Sequence, residues 1–163
     1  MKTINVIFSK AKAWYKIGSK VIAETEKRDY SHVALLFEFD NQKFIIQASG
    51  HYVNMVTYDN FLRDNVVIYK VPIILYNIQY SNLLYFCMNK LGTYYSKLQL
   101  LLLSVKKLFG LEINYNNGDK AMICSEFVIR ALESGMKLNV KKKRDYITPS
   151  DVETILKENG LWT

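Results

Sequence analysis

At 163 residues, half of them hydrophobic, the chain can bury a proper core without disulfides or a structural metal, and its composition argues against disorder. The net charge of +7 directs attention to anionic partners, while two cysteines, Cys87 and Cys124, give neither a disulfide framework nor a zinc-ligand spacing, so no cofactor or metal is expected. Met1 to Phe8 holds too short an apolar run for a signal peptide and no segment reaches the length of a membrane span, which makes a cytoplasmic location the expectation.

In chain order, Ile4 to Phe8 reads as a strand, and Ala11 to Glu26 as a helix with apolar positions at Trp14, Ile17, Val21 and Ile22. Three strands follow, Ser31 to Phe39, Lys43 to Ala48 and Tyr52 to Tyr58. A short helix from Asp59 and a strand from Val66 to Val71 complete the sheet at Pro72. The helical half begins near Ile78, is interrupted around Gly92, and resumes over Lys97 to Leu111. Leu100-Leu101-Leu102-Leu103, Val105, Leu108 and Phe109 make that stretch apolar around too much of its circumference for a simple surface helix. Core is the default reading, with a groove wall or a membrane-touching element as alternatives. Asn114 to Lys120 reads as a loop delivering the chain to a helix that starts at Cys124. Cys87 reads as helix core. The last helix carries its own start signal in Thr148-Pro149-Ser150-Asp151, with a cap, a first-turn proline and an acid three residues after the cap. No repeat or second domain is evident, so residues 1–163 read as one α+β domain: a small antiparallel sheet packed against helices.

Chemistry concentrates in two residues. His32 opens the alternating strand Tyr30-Ser31-His32-Val33-Ala34-Leu35, and Cys124 lies at the front of the amphipathic helix Ile123-Cys124-Ser125-Glu126-Phe127-Val128. A thiol attacks only as thiolate, and a helix N-terminus and a nearby imidazolium both favour that form. If Asp40-Asn41 forms a tight hairpin turn, Phe39 pairs with Gln42 and Ala34 with Gln47, which puts Gln47 on the His32 face of the sheet. Glu38 shares that face by alternation and reads as an outward charge. His51 follows Gly50 in a strand connection and reads as a surface or capping residue.

Ser31-His32-Val33-Ala34-Leu35, Phe44-Ile45-Ile46-Gln47-Ala48, Gly92-Thr93-Tyr94-Tyr95-Ser96, Cys124-Ser125-Glu126-Phe127-Val128 and Thr148-Pro149-Ser150-Asp151 resemble the successive signatures of the circularly permuted NlpC-type papain-like hydrolases. The resemblance runs from about Val6 to Val152 and implies a papain-like domain with Cys124 as nucleophile, His32 as general base and Gln47 as orienting group. The family often carries a glutamate or another polar residue where this chain has Gln47; a neutral amide can hold the ring in one tautomer but does not stabilise imidazolium as a carboxylate does. The cysteine segment is also similar to the motif of the lecithin–retinol acyltransferase group, which prefers a histidine at the third position.

These readings imply a thiol hydrolase cleaving an amide or peptide bond of a small-molecule, peptide or cell-wall-type substrate. A lipid-directed acyl hydrolase or acyltransferase, and a binding domain that has lost turnover, are the alternatives. Lys137, Lys141, Lys142, Lys143 and Arg144 form one basic cluster, and Lys10, Lys12, Lys16 and Lys20 a second. Such runs can attract anionic lipid. Nucleic acid is the weakest partner, because no recognised binding motif is present.

Overall fold

The computed structural model describes residues 1–12, 28–100, 102–103 and 120–162. It is α+β: a seven-stranded sheet in the order β5-β1-β2-β3-β4-β6-β7, packed against helices. The strands are β1 (Lys2–Ala11), β2 (His32–Phe39), β3 (Gln42–Ser49), β4 (Tyr52–Thr57), β5 (Asn65–Leu75), β6 (Tyr94–Tyr95) and β7 (Ala121–Met122). The helices are α1 (Tyr58–Asp64), α2 (Asn77–Lys90), α3 (Cys124–Gly135) and α4 (Pro149–Glu158). All pairings are antiparallel except β6 with β7.

The β2–β3 hairpin forms where the sequence placed it. Phe39 pairs with Gln42, and Asp40 and Asn41 take φ of 47° and 63°, the left-handed pair that a tight hairpin turn demands and that Asp and Asn tolerate. That turn sets the register, Leu35 opposite Ile46, and with it the face each side chain takes.

Alternation then separates two apolar clusters. Val33, Leu35, Phe37, Ile46 and Ala48 face a core shared with Tyr80, Leu83 and Cys87 of α2, Phe127 and Val128 of α3, and Val152 and Leu156 of α4. Ile7, Ala34, Leu36 and Ile45 face the other way, against Phe61 of α1. Helices α2 and α3 approach closely at Gly135, where an added Cβ would lie 2.7 Å from the Gln79 carbonyl oxygen. Helix α4 begins with the expected box: Asp151 N–H donates to the Thr148 hydroxyl, and the Thr148 N–H donates to the Asp151 carboxylate at 2.7 Å.

Three expectations change. Strand β1 runs through Ala11 and Lys12 N–H donates to the Asp64 carbonyl, so the helix does not begin there; residues 13–26 of that expected helix, with Trp14, Ile17, Val21, Ile22 and the lysines at 16 and 20, lie outside the described residues. Strand β5 does not stop at Pro72 but continues to Leu75, which is possible because β5 is an edge strand with a ladder only on its β1 side. Helix α1 starts one residue earlier than expected, at Tyr58, capped by the Thr57 hydroxyl. Of the leucine-rich stretch, 97–100 and 102–103 are helical; Leu103 is buried and Leu100 half-buried against Ile123 and Tyr146, as a core reading requires. Leu101, residues 104–111 and most of the loop over 114–120 lie outside the described residues. No helix among the described residues is long and apolar enough to cross a membrane.

Candidate functional site

His32 is the first residue of β2, and its ring Nε2 lies 2.7 Å from Gln47 Oε1 on β3. The hairpin register produces this contact, since residues at 32 and 47 fall on one face of neighbouring strands. Gln47 is buried, with 8% of its surface exposed, so its amide is held within the protein rather than by solvent. The His32 ring also lies 6.4 Å from Phe61, which places it on the α1 side of the sheet. Gln47 in turn donates to Asn54 Oδ1 of β4 at 3.4 Å, its direct cross-strand partner.

Cys124 is the first residue of the 12-residue helix α3 and is 5% exposed. Its two neighbours are anchored. The Ser125 hydroxyl donates to the Ile147 carbonyl at 2.5 Å, and the buried Glu126 carboxylate accepts from Gln99 at 2.9 Å and from Arg130 at 3.2 Å. Gln99 also donates to the Asp145 carbonyl at 2.9 Å, so one amide ties the helical residues 97–100 to both α3 and the 3₁₀ turn at Arg144–Tyr146. Burial, and to a smaller degree Asp145, push the Glu126 carboxyl up, against the opposing pull of Gln99 and Arg130.

Tyr95 borders the thiol. It pairs with Met122 two residues before Cys124, and burial followed by the field of Cys124 pushes its phenol up, so the group stays a protonated hydrogen-bond donor. Cys87 has the opposite setting: it is fully buried in α2, and burial alone pushes its thiol up.

The structure thus joins His32 to Gln47 directly and sets Cys124 beside Tyr95. Both pairs belong to the same end of the sheet, where the start of β2, the end of β3, the start of β4 and β6 lie side by side. By alternation, His32 and Gln47 take the α1 face, whereas α3 packs on the face of Val33 and Ala48. Glu38 is exposed opposite Lys43, and His51 is exposed with its ring 6.2 Å from Tyr52. Tyr95, Asn54 and Gln99 were not singled out from sequence; Asn54 was open to the register argument that found Gln47, whereas the Gln99–Glu126 contact spans 27 positions without a local signal.

Four members of the basic cluster, Lys141 to Arg144, are engaged by the protein's own acids. Lys141 pairs with Glu158 at 3.6 Å, Lys142 with Asp151 at 2.6 Å, Lys143 with Asp145 at 3.8 Å, and Arg144 with Glu133 at 2.8 Å. Among the described residues no group of three His, Cys, Asp or Glu side chains is placed to hold a metal ion. A scan against protein-family models and a search of curated proteins both return no match to this chain.

Proposed function

We propose that the protein is a thiol hydrolase acting on an amide or peptide bond, with Cys124 as nucleophile, His32 as general base and Gln47 as the group that orients it, on a domain of the permuted NlpC-type papain-like class. The observation that carries this reading is the 2.7 Å contact between His32 Nε2 and Gln47 Oε1, made in a chain that also presents a cysteine as the first residue of a helix. An imidazole held through one nitrogen has its other nitrogen directed for proton transfer, and the helix N-terminus favours a thiolate.

In this reaction His32 takes the Cys124 proton, the sulfur attacks the substrate carbonyl carbon, and the carbonyl electrons move to oxygen. Collapse of that adduct breaks the C–N bond as His32 returns the proton to the leaving amine. Water, deprotonated by His32, then attacks the thioester and releases the carboxylic acid and the thiol. Position 32, as the first residue of β2, puts the ring at the end of the strand rather than in the middle of the sheet. The internal pairing of Lys141 to Arg144 and the burial of Leu103 weigh against a membrane-directed acyl transfer.

Incubation with a panel of peptide p-nitroanilides, followed by intact-mass analysis, tests the proposal. The expected result is an acyl adduct on Cys124 that discharges in water and is absent from Cys124→Ala. Turnover that survives Cys124→Ala sinks the reading.

A further inference from the structure

Asn54 has a geometry that the general scheme does not need and that fixes more than the scheme states. Its Nδ2 faces two backbone carbonyl oxygens, Tyr52 O at 3.3 Å and Ser49 O at 3.5 Å, as well as the Ser49 hydroxyl at 3.4 Å. Carbonyl oxygens only accept. If the Asn54 amide were turned over, its Oδ1 would point at two other acceptors, so these backbone atoms dictate which end of the amide carries the hydrogens. The contacts are individually long, but they agree in direction.

That direction propagates. With Nδ2 committed to the β3–β4 turn, Oδ1 faces Gln47 and accepts from its Nε2 at 3.4 Å. Gln47 Oε1 is then the end that meets His32 Nε2, at 2.7 Å, and an amide oxygen there requires a hydrogen on Nε2. We propose that Asn54 is a positioning residue: through Gln47 it sets His32 as the Nε2–H tautomer and leaves Nδ1 as the basic nitrogen. The sequence of dependence runs from the fixed carbonyls of Ser49 and Tyr52, through two amides, to one ring.

A neutral amide has no net charge with which to enforce its own orientation, and alone Gln47 could present either end to the imidazole. A carboxylate at position 47 would not have this ambiguity, because both of its oxygens accept. The chain's use of glutamine therefore creates a need for a second residue that breaks the symmetry, and the cross-strand partner of Gln47 supplies it.

The inference bears on the hydrolase reading, which needs Nδ1 as base, but its test stands apart from turnover. Nitrogen-15 NMR of the His32 ring, recorded on the full chain above the range where histidine is protonated, reports the tautomer. The parent should show Nε2–H alone. In Asn54→Ala the Gln47 amide is released and Nδ1–H should appear, the tautomer ratio changing by about fivefold, as expected for the loss of one net hydrogen-bond preference. Gln47→Glu added to Asn54→Ala puts an acceptor-only group opposite Nε2 and should return the ring to the parent tautomer, which guards against a fold defect in the alanine variant. A pure Nε2–H ring in a folded Asn54→Ala, or a mixed ring in the Asn54→Ala, Gln47→Glu double variant, overturns the proposal. An unreactive Cys124 in a chain whose ring follows these expectations would instead remove the hydrolase reading and leave Asn54's role in place.

Discussion

Replacing Gln99 by Leu removes a side chain that donates to both Glu126 and the Asp145 carbonyl, at 2.9 Å each. Gln99 is 2% exposed and Glu126 likewise, so water does not replace the lost donors without local opening. A buried acceptor stripped of its partner costs about 1–3 kcal/mol, and Arg130 still serves one Glu126 oxygen, so the pair of losses comes to about 2–4 kcal/mol. For a chain of this size that lowers Tm by roughly 5–15 °C. The loss also depends on pH. Glu126 has its folded pKa raised, chiefly by burial, so its contribution to stability is present in acid and is lost as pH rises through the folded value. Gln99 opposes that raising, and without it the charged carboxylate is worse off. The destabilisation should therefore grow from mildly acid to mildly alkaline pH. Urea unfolding at several pH values measures it, with Glu126→Leu and the double variant completing a cycle; the double variant should be less damaged than the two single losses added together. A Gln99→Leu chain as stable as the parent at alkaline pH, or strictly additive effects, would refute the coupling.

Iodoacetamide should label Cys124 and leave Cys87 unmodified in the folded protein, because burial in α2 raises the Cys87 thiol and hides it; peptide mass spectrometry reads the ratio, and equal labelling would count against Cys124 as a nucleophile. Gln47→Ala should slow Cys124 labelling and turnover by about fivefold without unfolding the chain, while Gln47→Glu keeps an oxygen toward His32 and should be tolerated; full activity in Gln47→Ala would pass the orienting role elsewhere. Anionic vesicles should retain little of the protein in sedimentation, since Lys141 to Arg144 are paired within the chain; strong, salt-sensitive binding would revive the lipid reading.

What the sequence made legible was local. Asp40-Asn41 carries its turn chemistry in two residues, and once that turn is fixed the period of two delivers Gln47 to His32 without further information. The Thr148 to Asp151 box is equally self-contained. The parts that stayed hidden depend on distant partners. Pro72 reads as a strand stop until β5 is known to be an edge, and β6 and β7, at two residues each, are too short to show any alternation. Gln99 reads as one polar residue in an apolar run; only the approach of Glu126 and Asp145 gives it a purpose. Tyr95 is one tyrosine among 12, and its place beside Cys124 follows from a parallel pairing with Met122 that no local pattern announces.

In the proposed reaction His32 and Cys124 act as a pair, although the strand alternation puts the ring on the α1 face and α3 packs on the other. The rate of Cys124 alkylation as a function of pH, compared between the parent, His32→Ala and His51→Ala, tests it most directly. The parent should show a labelling midpoint below the ordinary thiol value of about 8.5, His32→Ala a midpoint displaced upward with labelling at neutral pH slowed about tenfold, and His51→Ala a profile that overlays the parent. Superimposable profiles for the parent and His32→Ala would contradict it, leaving a cysteine at a helix start with no base to serve it.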